Sequence, residues 1–508
     1  MRYPLVLLLV AATAFAQSGS AVRQKVDAYR KAHEVEIVRS FADLLAMPNL
    51  ASDSANIRHN AEQISSMLQA RGVKTRLLEE EGGPPIVFGE LAAPGARHTL
   101  IFYAHYDGQH VDKSQWAADP WQPTLRAGKV EDGAQEVPLE SLSAPINPEW
   151  RIYARSAGDD KTPIQALLTA LDAMKASGIP VGINVKFFFE GEEEAGSPHL
   201  PAAIQKYAEL LKGDAWLICD GPVHQTRRML VDFGARGVVD FELTLYGPSH
   251  ALHSGHYGNW APNPAVMMAH LIAAMRDTNA HILIPHFYDD VQPLTASEKQ
   301  AIREMPPVEE LMKNELGLSW TESPGMLLAE AISQPALNVR GIEAGHVGDQ
   351  AQNAVSPEAR ASFDIRLVPR EKPERVQELV EGFIRAQGYT IVRETPTLEQ
   401  RRQAKIAKVV WGPGYPAART DMDLPVSRAI VSTIEETLGG PIVKMPMLGG
   451  SVPMYLFNDN LHTPAVGVPI ANHDDNQHAQ NENLRIRNLW DGIDVMAGLL
   501  ADAEKNWK

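Results

Sequence analysis

Phe187-Phe188-Phe189-Glu190-Gly191-Glu192-Glu193-Glu194-Ala195-Gly196-Ser197 runs from one of the most apolar segments of the chain straight into a block of carboxylates. An apolar run of strand length with no polar alternation has no wet face, so it belongs in a sheet covered on both sides. Helices supply that cover, and the stretch therefore predicts an α/β fold with a mostly parallel sheet flanked by helices. The acidic residues follow at the strand's exit, which is where open α/β sheets build their sites. On an open surface such a run is simply solvated. Against the end of a buried sheet, adjacent carboxylates repel one another unless a cation compensates them.

Working outward, residues 99–103 and 216–219 are further short apolar runs and read as sister strands, while 162–176 and 200–211 read as helices between them. The pattern then changes. Phe241, Leu243 and Leu245 alternate with Asp240, Glu242 and Thr244, and Ala361, Phe363, Ile365 and Leu367 alternate with Arg360, Ser362, Asp364 and Arg366. Period-two alternation means strands with one wet face. Helical patterns accompany them at 264–276 and 373–387, the second carrying Val376, Leu379, Val380 and Phe383 on one face before Gly388 stops it. These elements predict a small α+β domain inserted at 232–408. The larger domain is expected at 17–231 and 409–508, with a helix at 426–438 and strands near Ile442 and Ala465.

A chain of 508 residues suits two such domains. Its formal charge of -16 would repel nucleic acid or an anionic membrane surface. Cys219 is the only cysteine, which excludes an internal disulfide and a thiolate-based zinc site. At the N-terminus, Arg2, the apolar residues 5–14 and Ala14-Phe15-Ala16 form the pattern of a secretory signal peptide over residues 1–16, cleaved near Ala16. The expected destination is the periplasm or the exterior. No later stretch is long and apolar enough to span a bilayer.

Four more segments place metal-type ligands beside probable strands or helices: His105-Tyr106-Asp107, Ala157-Gly158-Asp159-Asp160-Lys161, Ile218-Cys219-Asp220-Gly221 and His473-Asp474-Asp475-Asn476-Gln477-His478-Ala479-Gln480-Asn481-Glu482. None is decisive alone, and the Asp pair before a helix reads equally as capping residues. Taken with the block at 190–197, they offer imidazoles and carboxylates without a thiolate. That set suits two closely spaced divalent ions, with zinc favoured over magnesium by the imidazoles and Co2+ or Mn2+ as alternatives.

In this order the segments resemble the zinc metallopeptidases that include aminoacylase, the carnosine dipeptidases, succinyl-diaminopimelate desuccinylase and glutamate carboxypeptidase, the dipeptidase branch most of all. The resemblance spans nearly the whole chain after residue 16 and adds Leu252-His253-Ser254-Gly255, Arg366-Leu367-Val368-Pro369, Gly449-Gly450-Ser451-Val452-Pro453 and the closing His478 with Asn481-Glu482. It implies a dizinc catalytic domain with an inserted lid and dimerisation domain, hence a homodimer. Asp159 would bridge two ions, His105 and Asp220 completing one and Glu194 and His478 the other. Glu193 would be the general base, Asp107 would orient His105, and His253 would reach the partner subunit's active site. Arg366 would take a substrate carboxylate, and Gly450 and Ser451 would line the substrate.

The implied reaction is hydrolysis of an amide bond in a small peptide or N-acyl amino acid with a free carboxylate. Metal-activated water is the nucleophile, Glu193 moves its proton, and His253 donates to the oxyanion, an interaction worth about 3 kcal/mol in comparable sites. The planar fork of Arg366 matches a carboxylate. Two positions depart from the family pattern. Thr162-Pro163 stands where glycine is common, and Leu448 stands where the dipeptidases carry a glutamate for the substrate's amine. Leucine offers no charge, so an apolar or acylated group is expected there. A non-catalytic scaffold is disfavoured by the intact Glu193 and ligand positions, and a metallo-phosphoesterase by the absence of a basic cluster near the ligand segments.

Overall fold

The computed structural model describes residues 20–450, 452 and 454–508; the signal-peptide reading of residues 1–16 and the assignment of Ser451 lie outside them. An eight-stranded sheet forms the larger core, in the order Lys74–Leu78, Ile86–Leu91, Asn184–Glu190, Thr99–His105, Ala215–Ile218, Ala465–Gly467, Leu230–Asp232, Val443–Met445. Its centre is parallel, Thr99–His105 pairing in parallel with both Asn184–Glu190 and Ala215–Ile218, and Ala465–Gly467 extending the set. Antiparallel pairs at Ile86–Leu91 and Leu230–Asp232 make the sheet mixed overall.

The unbroken apolar runs have a direct cause in this arrangement. Phe102, Phe187, Phe189 and Leu217 point into one core, while Tyr103, Phe188, Trp216 and Ile218 point into another on the opposite face. Alternate residues of one strand feed two cores, so neither face can be polar. Helices Lys161–Ala176 and Ile486–Asn506 cover the first face and are themselves mostly buried.

A second sheet of five strands runs in the order Ala336–Glu343, Glu358–Leu367, Gly237–Tyr246, Lys405–Tyr415, Tyr389–Val392. Val239, Phe241, Leu243 and Leu245 turn inward against Phe363 and Ile365, with helices Pro264–Met275 and Pro373–Ala386 closing their core. Phe241 and Phe363 sit directly opposite one another and stack at 4.5 Å. The strand Lys405–Tyr415 crosses residue 408, so the end expected for the inserted domain falls inside a strand.

Two local readings change. The helix expected at 200–211 stops at Lys206, because the chain turns at Tyr207 and Lys186 ties down the carbonyls of Leu210 and Lys212. The strand read at 99–103 continues two residues further, so that His105 is its last residue. Among the described residues no helix is long and apolar enough to cross a membrane.

Candidate metal centre

Strand register explains why distant residues meet. His105 pairs with Glu190 and Tyr103 with Ile218, so the exits carrying His105, Glu193-Glu194 and Asp220 lie side by side at one end of the sheet. Asp159 and Asp160, joined by a cis peptide bond, lie in the loop that enters helix Lys161–Ala176. The loop holding His478 follows Ala465–Gly467, parallel to the same strands.

Asp159 is the centre of the cluster. Its Oδ1 lies 2.7 Å from Nε2 of His105, and its Oδ2 lies 3.1 Å from Nε2 of His478, which is also 3.2 Å from Oε2 of Glu194. Two groups result, His105-Asp159-Asp220 and Asp159-Glu194-His478, in each of which the potential ligand atoms lie within 4.8 Å of one another. They share Asp159. Asp107 is buried with its carboxylate 3.3 Å from Nδ1 of His105, and it accepts the backbone N–H groups of Glu193 and Glu194 at 3.1 Å each. One side chain thus fixes both the imidazole and the acidic turn.

The charges are unbalanced without a cation. Burial pushes the Asp220 carboxyl up to about 7, with the negative charge of Asp159 adding to it. Burial also raises Glu193, reinforced by Asp220, Asp159 and Glu194. Hydrogen bonds to Asp159 and Glu194 lift His478 to about 10. His105 is raised against the effect of burial by the charge of Asp159, which in turn lies below the usual carboxylate range despite its own burial. Imidazolium protons thus neutralise a surplus of carboxylates, and divalent cations on the same donor atoms fit that surplus. The donors, imidazole and carboxylate, are those that zinc accepts.

Several contributors were missed by motif reading. Buried Glu482 takes four donors: Nη1 of Arg155 at 2.7 Å, and the N–H groups of Ser156, Gly158 and Asp159 at 3.0, 2.9 and 3.0 Å. It shapes the loop that presents Asp159, a role that the bare Asn-Glu pair did not signal. Gln477 donates to Asp159 Oδ2 and Gln109 to Glu194 Oε2, both at 2.9 Å, and Asp160 accepts the His105 N–H at 3.2 Å.

Three expected site residues stand outside the ligand cluster. His253 is exposed in its own turn, where its Nδ1 accepts the Gly255 N–H at 3.1 Å and its ring lies 4.6 Å from that of His256. Arg366 Nε donates to Asp364 Oδ2 at 3.2 Å on the polar face of the five-stranded sheet. Gly450 is exposed at the end of a turn anchored by the Leu448 N–H to Gly234 O at 2.7 Å.

This fold and donor set define a metal-dependent hydrolase. The chain belongs to the peptidase family M20/M25/M40, whose sequence profile matches residues 101–502, and it is a metallopeptidase. It is 25% identical to the Cys-Gly metallodipeptidase of Schizosaccharomyces pombe over 472 residues, covering 91% of this chain and 92% of the relative. It is 25% identical to the human Beta-Ala-His dipeptidase over 429 residues, covering 82% and 77%. Among solved structures it is similar to an M20 metallo-carboxypeptidase of Sulfolobus solfataricus, with a TM-score of 0.72 and 28% identity over 92% of this chain and 99% of that one. Human carnosine dipeptidase 1 shares the fold, at a TM-score of 0.71 and 22% identity over 96% and 100%.

Proposed function

We propose that this metallopeptidase holds two divalent cations, zinc by preference and Co2+ or Mn2+ as substitutes, and cleaves the amide bond of dipeptides or N-acyl amino acids that carry a free carboxylate. The observation that carries the reading is the pair of ligand groups sharing Asp159. The dipeptide named for each of the two relatives above supports the substrate class. His105 and Asp220 would hold one ion, Glu194 and His478 the other, and Asp159 both. When bound, such a pair polarises the scissile carbonyl and brings the pKa of water toward neutrality.

The remaining work falls to the chain's own groups. Glu193, raised by burial and by its acidic neighbours, is suited to accept the proton of the attacking water and pass it to the departing amine. Asp107 keeps the Glu193-Glu194 turn and the His105 ring in register. His253, exposed and with its Nδ1 occupied by Gly255, presents Nε2–H outward. That is what donation across a homodimer interface to the partner subunit's oxyanion requires. Arg366, Gly450 and Ser451 would receive the substrate's carboxylate end. Export through the leader at 1–16 completes the reading, and the N-terminal sequence of the secreted protein tests it.

The decisive experiment loads the purified protein with zinc, counts bound ions, and screens dipeptides and N-acyl amino acids by mass spectrometry. Two ions per chain and cleavage of at least one class are expected. Glu193→Gln should keep both ions and lose about two or more orders of magnitude in turnover. A protein that takes up fewer than two ions, or a variant with unchanged turnover, removes the assignment.

A further inference from the structure

Arg236 links the two sheets at one point. It stands immediately before the strand Gly237–Tyr246, in which Val238 pairs with Arg366. Alternate residues of an extended chain share a face, so Arg236 and Arg366 are diagonal neighbours on the polar side. Towards the larger domain, Arg236 Nε donates to Gly449 O at 3.1 Å, and a Cβ on Gly449 would lie 3.8 Å from Arg236 Nη2. Among the described residues the two terminal nitrogens of Arg236 carry no hydrogen bond.

Arg236 thus holds the turn at 448–450 with Arg366 diagonal to it across the strand pair, and Asp364 is the acid whose charge acts on Arg236 and binds Arg366. That carboxylate already accepts Asn338 Nδ2 at 2.7 Å and Arg366 Nε at 3.2 Å. Half-buried Arg236 is pushed down to about 10 by burial and by the like charge of Arg366, with Asp364 opposing. On the far side of the turn the neighbour is apolar, with Ile332 Cγ2 3.6 Å from the same Cβ position on Gly449.

We propose that Arg236 is a second carboxylate-binding arginine, which with Arg366 clamps the free carboxylate of the substrate against the turn at 448–450. One planar fork holds the turn through Nε and offers its terminal nitrogens to the ligand, so the turn and the substrate are tied to the same side chain. Lysine would have to serve both from a single nitrogen, without the fixed fork. The identity of the substrate rests on the hydrolase reading above; the anion site itself rests on the two arginines.

The test is calorimetric titration of N-acetyl-leucine and of its C-terminal amide into zinc-loaded Glu193→Gln protein, with and without Arg236→Gln. Wild-type Arg236 should favour the acid over the amide. Arg236→Gln should weaken the acid by about tenfold or more, the loss of a charge-assisted hydrogen bond, and leave the amide unchanged. Arg236→Lys should fall between. The amide serves as the control for folding, since a collapsed pocket would lose both ligands. A preference for the acid that survives Arg236→Gln, equal loss of acid and amide, or no preference to begin with overturns the proposal. Because binding is read without turnover, failure to find a hydrolysed substrate sinks the hydrolase reading and leaves this result standing.

Discussion

Replacing Glu482 by glutamine should loosen the metal centre without touching any proposed ligand. Its two carboxylate oxygens serve four donors, Oε2 taking Arg155 Nη1 and Ser156 N–H, Oε1 taking Gly158 and Asp159 N–H. An amide has one oxygen, so whichever way it turns, two of these donors meet an NH2 group. Each buried donor left without an acceptor costs about 1–3 kcal/mol, which puts the destabilisation at about 2–6 kcal/mol. That is a large part of the about 5–15 kcal/mol that folded domains typically hold. Arg155 adds to the loss, since it is fully buried and stacked 5.0 Å from Trp116 with its charge facing Glu482. The loop at issue ends in Asp159, so metal affinity should fall by about 10–100-fold, as it does when groups that orient metal ligands are removed. Burial lifts Glu482 to about 7 with Arg155 opposing, so competition against a chelator at pH 8 compares an ionised carboxylate with an amide. Urea unfolding of the metal-free protein reads the stability component separately. Zinc affinity within about twofold of wild type would refute the argument that Glu482 shapes the Asp159 loop.

Three further outcomes follow from the same geometry. Glu371 is 2% exposed, one oxygen accepting Val368 N–H at 2.8 Å and the other without a partner, and burial pushes it up to about 8. A raised carboxyl favours the fold fully below its ordinary value of 4.5 and loses that contribution as pH climbs to about 8; Glu371→Gln should therefore flatten the fall in thermal midpoint between pH 5 and 9, recovering about 2–4 kcal/mol at the alkaline end. An identical slope in both proteins would count against it. Leu448→Glu puts a carboxylate on the turn beside Gly449 and should shift preference from N-acyl substrates toward free amines by about tenfold in the ratio of kcat/KM, an unchanged ratio showing that the pocket lies elsewhere. Stripping metal with a chelator should abolish hydrolysis and lower the thermal midpoint, since bound ligand stabilises the folded state; zinc should restore both.

The amino-acid sequence determined the α/β core, because burial on both faces leaves no room for polar alternation at Phe187-Phe188-Phe189, and the one-faced sheet, because Phe241 and its alternates need a single dry side. It also supplied the ligand types, since imidazoles and carboxylates at strand exits are local facts. Only the tertiary structure decided which of them meet. His105 reaches Glu190 and Asp220 through strand register, and Glu482 reaches Asp159 across 323 positions by hydrogen bonds that leave no local spacing. Arg236 is the sharpest instance: nothing in Ala235-Arg236-Gly237 distinguishes it from a solvated strand arginine, and its place between Arg366 and Gly449 exists only because two sheets meet there. Hydrophobic period is written along the chain residue by residue, whereas polar partners are chosen across it by packing.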